Sequence, residues 1–121
     1  MKVGVMKSEL VASFKDRQGY YDDKPKTKGD QFLAVQVRYE ATGDGATYNA
    51  CDWSLYVDDE KVQAPAFVIH GPRPALIFGE LPSGKKASGL LVWEVPKTGR
   101  VVLSYEPVLV GALFEVVLRT S

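Results

Sequence analysis

Eight consecutive residues, Gly89-Leu90-Leu91-Val92-Trp93-Glu94-Val95-Pro96, constrain the fold of this chain most tightly. Side chains alternate along an extended strand, so Leu91, Trp93 and Val95 share one face while Leu90, Val92 and Glu94 share the other. Pro96 has no N–H to give to a ladder, so the strand ends there. The same alternation recurs after Phe32. Leu33, Val35, Val37 and Tyr39 form one face; Phe32, Ala34, Gln36, Arg38 and Glu40 form another that grows polar along its length. A strand of that pattern has one face in a core and one turning to water.

The remaining apolar runs are short and bounded by turn residues. Val3 and Val5, then Leu10, Ala12 and Phe14, alternate on different parities, with Lys7-Ser8-Glu9 between them. That pattern predicts a first strand over residues 2–14 with a bulge or a change of sheet inside it. Residues 48–57 read as one strand, with Cys51, Trp53, Leu55 and Val57 on a common face. The Lys97-Thr98-Gly99-Arg100 turn suggests that residues 89–105 form a hairpin. Residues 109–119 read as the last strand, with Gly111 as an interruption. Charged residues on the first and last strands suit sheet edges. About seven to nine mostly antiparallel strands result, with no helix of ordinary length. The expected fold is all-β, an immunoglobulin-like β-sandwich in a single domain over residues 1–121. Its core is expected around Trp53 and Trp93, with Leu33, Val35, Val37, Leu55, Leu91 and Leu103.

Composition narrows the functional classes. A chain of 121 residues with 45% hydrophobic residues can bury a core without metals or disulfides. Fifteen basic residues balance fifteen acidic ones, so no overall field recruits nucleic acid or an anionic membrane. Cys51 is the single cysteine and makes no internal disulfide. No stretch approaches the ~20 apolar residues of a membrane span, and residues 1–14 contain no continuous apolar segment of signal-peptide length.

Residues able to carry chemistry are sparse. His70 is the single histidine, and no CxxC, HExxH or histidine pair accompanies it, so the expected metal complement is none. Cys51 shares a parity with Trp53 and Leu55 and reads as a buried structural thiol. Neither Asp22-Asp23 nor Asp58-Asp59-Glu60 has the spacing of a calcium loop; solvated turn carboxylates are the simpler account. No nucleophile elbow or phosphate loop is present, so neither catalytic residues nor cofactors are expected. Residues 15–30 read as a long polar connection with two rings, Tyr20 and Tyr21, and alternating Lys24, Lys26 and Lys28. Tyr20, Tyr21, Lys24 and Lys26 are the candidate interaction residues, because loops on a rigid sandwich commonly carry recognition.

Three segments, residues 28–37, 52–58 and 81–96, together resemble a family of bacterial domains of unknown function with a telokin-like, immunoglobulin-like fold. That family is related to a secreted immunoprotective antigen of mycobacteria. The resemblance rests on Gly29 opening a strand, on Pro82, Gly84 and Gly89 around a turn, and on Trp93-Glu94-Val95-Pro96. Glu40-Ala41-Thr42 stands where the family commonly has an asparagine. The resemblance implies export or surface attachment and brings no catalytic residues. The expectation is a non-enzymatic, exported or surface-associated module that engages a protein or a cell-envelope component. An accessory spacer domain is the alternative, and a metal-binding protein or hydrolase is a more distant one.

Overall fold

A computed structural model describes residues 2–11, 14–15, 22–62, 78–107 and 110–121. Its strands are β1 (Lys2–Val11), β2 (Phe14–Lys15), β3 (Asp22–Asp23), β4 (Gln31–Glu40), β5 (Ala46–Asn49), β6 (Trp53–Val57), β7 (Glu60–Lys61), β8 (Phe78–Leu81), β9 (Lys86–Val95), β10 (Val101–Tyr105) and β11 (Phe114–Arg119). One sheet has the order β1-β4-β9 and a second the order β11-β10-β6-β7, with two-stranded ribbons β2-β3 and β5-β8 beside them. Among the described residues every strand pairing is antiparallel. The all-β sandwich expected from the alternation is the fold observed.

The inward face of β4 meets β9 in register, with Leu33 opposite Trp93 and Val35 opposite Leu91. These residues pack against Trp53 and Leu55 of β6 and Val101, Leu103 and Tyr105 of β10 in one buried cluster. All eight residues expected to form the core are buried there. The two sheets are also joined by polarity. Trp53 Nε1 donates to Tyr39 Oη at 2.5 Å, and both groups are buried. Around this bond Tyr39 stacks on Tyr48, while Trp53 touches Tyr105 and Phe114. Burial, the largest influence on it, pushes the Tyr39 phenol well above its ordinary pKa, so it stays neutral and able to accept.

The first strand has its irregularity where the parities change. Val5 opposes Val37 and Lys7 opposes Gln36, leaving Met6 as the extra residue. One inserted residue returns Leu10 to the core-facing parity, opposite Leu33, without a change of sheet. The strand stops at Val11, and Phe14 belongs to the β2-β3 ribbon. The polar connection over 15–30 therefore contains a strand, β3. As expected, β1 and β11 are both terminal in their sheets.

The structure departs from four expectations. Residues 89–105 are not a hairpin, because β9 lies in the first sheet and β10 in the second. Asp58 N–H donates to Arg100 O and Arg100 N–H donates to the Asp58 carboxylate, which docks the chain after Pro96 onto the β6-β7 turn. Gly99 permits this approach: its φ is +118°, and a Cβ there would lie 2.9 Å from the Asp58 carboxylate. Residues 48–57 are not one strand. Asn49 Oδ1 accepts from Cys51 N–H, and a 3-10 turn over Ala50–Asp52 separates β5 from β6. Cys51 is consequently exposed instead of buried, since the alternation running back from Trp53 is broken before it reaches position 51. Asp58 and Asp59 alone form the turn, both at positive φ, and β7 already begins at Glu60.

Replacing Tyr39 by Phe strands the Trp53 indole N–H in the core. Urea unfolding should show a loss of about 1–3 kcal/mol, the cost of one buried donor without a partner.

Candidate interaction site

Tyr20, Tyr21 and His70 lie outside the described residues. Lys24 and Lys26 are exposed, on the stretch leading to β4. The backbone N–H of Lys26 donates to the Glu94 carboxylate on the outward face of β9, so that carboxylate anchors this stretch to the sheet. Among the described residues, no three His, Cys, Asp or Glu side chains come together as a metal site. Asp58 is occupied by Arg100 N–H, and Asp59 lies 3.9 Å from the Arg100 guanidinium at the surface.

A different site emerges at one end of the core, where β1 and β11 approach each other. A cavity of about 340 Å³ is lined by Ser8, Glu9 and Leu10 of β1, Leu33 of β4, Val95 of β9, Val101 of β10, and Leu118 and Arg119 of β11. Its floor is apolar and belongs to the main core: Leu33, Val95 and Val101 are buried, and Leu118 packs against them. Its rim is polar, with Ser8 contributed by one strand and Arg119 by the other, while Glu9 pairs with Ala34 on the outward parity of β1.

Arg119 reaches this rim through a second irregularity. Val102 opposes Val117, but Val101 opposes Arg119, so Leu118 is the extra residue. The shift brings Arg119 level with core-facing Val101. Its Nε donates to Gly99 O at 2.8 Å and its Nη2 to Pro96 O at 3.0 Å. The guanidinium is thereby held against the 96–100 crossover, half-buried beside an apolar cavity. The site residues were individually visible in the sequence, but two one-residue slips and a sheet change determine their meeting.

Exposed apolar side chains mark the same strands. Met6, Leu10, Val110, Leu113 and Val117 are 42–62% exposed, and they are the large hydrophobic residues exposed among those described. All five sit on β1, on β11 or on the approach to β11. The opposite edge of the second sheet, β7, is two charged residues long, a form that resists pairing with another chain.

On the outward face of the second sheet, Tyr56 opposes Val102, and its hydroxyl donates to Glu106 Oε2 at 2.9 Å. The side chains meet over the Ser54–Ser104 pair that lies between those levels, and both serines are buried. Ser104 Oγ has no hydrogen-bond partner of its own, so it acts on Glu106 as a nearby dipole. Partial burial raises the Glu106 pKa, but the Tyr56, Ser104 and Ser54 hydroxyls and Lys61 together hold it below the ordinary 4.5. This cluster braces β6 against β10.

The fold has solved counterparts in Bacillus subtilis. One is the yjhA protein, at 23% identity and TM-score 0.66, covering 98% of this chain and 90% of that one. Another is a "putative lipoprotein", ycdA, at 22% identity and TM-score 0.64, covering 95% of this chain. This chain spans 35% of the ycdA chain. At such identities the likeness concerns the fold alone. No curated protein matches the chain. Among the described residues, no helix is long and apolar enough to cross a membrane.

The Tyr56–Glu106 contact has a pH signature. A carboxylate with a depressed folded pKa contributes stability fully above its unfolded value and loses it as pH falls through the folded value. Tyr56→Phe should therefore destabilise the domain at neutral pH, and the gap from wild type should narrow below about pH 4.5, read from urea midpoints across pH.

Family comparison agrees with the architecture, since the DUF4352 pattern matches residues 3–112, and the chain belongs to this family of domains of unknown function.

Proposed function

We propose that this domain is a non-enzymatic binding module of the cell envelope, and that it takes an extended segment of a partner protein between β1 and β11. The observation that carries this reading is that, among the described residues, the exposed large apolar side chains fall on β1, on β11 and on the approach to β11. Terminal strands present backbone N–H and C=O groups that a partner strand can use, while a cavity beside them supplies side-chain selectivity. Monomeric surfaces seldom concentrate apolar groups without a use for them. The envelope location is supported by the lipoprotein description of one structural counterpart. The non-enzymatic part is a reading of the site's lining, an apolar floor with one guanidinium at its rim.

The test is capture from an envelope fraction of the producing cells by immobilised domain. Leu10→Asp puts a charge on the β1 rim, and Lys24→Ala/Lys26→Ala removes the loop cations. A saturable partner should be lost with Leu10→Asp and kept with the double alanine variant. Loss only with the lysine variant would return the site to the 15–30 loop, and the absence of any saturable partner would favour the spacer alternative.

A further inference from the structure

Arg119 is unusual among the cations of this domain. Its guanidinium is half-buried at the rim of an apolar cavity, and its two hydrogen bonds go to the uncharged carbonyls of Gly99 and Pro96. Glu9 lines the same cavity from the opposite strand, yet the two make no ion pair with each other. A cation in such a place gains most from a carboxylate, because charge-assisted bonds strengthen where water is partly excluded and a guanidinium fork matches a carboxylate in shape.

We infer that the cavity captures the C-terminal residue of a partner polypeptide, its apolar side chain seated on Leu33, Val95, Val101 and Leu118 and its terminal carboxylate received by Arg119. This rests on the proposed strand-edge reading and specifies the partner's chemistry. A volume of about 340 Å³ is near the lower limit of ligand cavities, ~300–1,000 Å³, and has room for a terminal residue with its apolar side chain. Backbone pairing along a strand, combined with capture of a terminal carboxylate, is a physically economical way to read a chain end.

The probe is a fluorescently labelled hexapeptide, Gly-Ser-Lys-Thr-Val-Leu, prepared as the free acid and as the C-terminal amide, with decanoate as a separate competitor. Fluorescence anisotropy should show the acid binding at least about tenfold tighter than the amide, and Arg119→Gln should abolish that preference. Arg119 also holds the crossover, so a second variant, Ser8→Trp, obstructs the mouth from an exposed position without altering the core. It should weaken acid binding while thermal unfolding stays as in wild type. Equal binding of acid and amide overturns the terminal-carboxylate inference and leaves the strand-edge reading standing. Binding of decanoate with no binding of either peptide overturns it in favour of an acyl ligand. No binding of any probe overturns it too, while the envelope capture with Leu10→Asp judges the strand-edge reading separately.

Discussion

The hydrogen bond from Trp53 to Tyr39 is the contact on which the geometry of this sandwich turns. Hydrophobic packing between two sheets is non-directional and tolerates sliding. A buried indole N–H aimed at a buried phenol does not, because any slip leaves a polar group unsatisfied in the core. The bond links β4 of one sheet to β6 of the other, and the rings of Tyr48, Tyr105 and Phe114 pack around it. With the sheets set in this way, Leu33, Val95 and Val101 come together at one end of the core. There β1 and β11 approach without closing, and a cavity results.

Loops and turns refine that frame by consuming polar groups locally. The Asp58 carboxylate takes the Arg100 N–H, Arg119 takes Pro96 O and Gly99 O, and Gly45 follows its turn at φ +96°, where a Cβ would meet Leu81 O at 2.7 Å. Each contact holds a chain reversal or crossover against a neighbouring strand. The Arg119 contacts also fix a cation at the cavity rim. Structure and candidate function therefore meet in one residue.

Much of the fold was legible because alternation is a strong signal in a half-buried strand. The faces of β4 and β9, both tryptophans and the parity change in β1 all followed from residue order. What escaped was decided by small insertions and by contacts distant in sequence. Nothing near Pro96 announces that Arg100 will dock on Asp58, so a crossover was taken for a hairpin. The Asn49 turn exposes Cys51, although continued alternation would bury it. The candidate site was less legible still. Sequence pointed to Tyr20, Tyr21, Lys24 and Lys26, of which the two lysines are exposed and the two tyrosines lie outside the described residues. Arg119 looked like one more charge on a terminal strand, and the Leu118 irregularity that turns it toward the cavity leaves no mark in the residue pattern.

The central claim is that the domain works at the end of its core bordered by β1 and β11. Site-specific photo-crosslinking in the producing cells tests it most directly. A photoreactive phenylalanine analogue at Leu10 sits on the rim, and the same analogue at exposed Thr47 of β5 reports on a surface outside the cavity lining. The account predicts a discrete, light-dependent protein adduct from position 10 and none from position 47. An adduct from position 47 alone, or identical adducts from both, would contradict it.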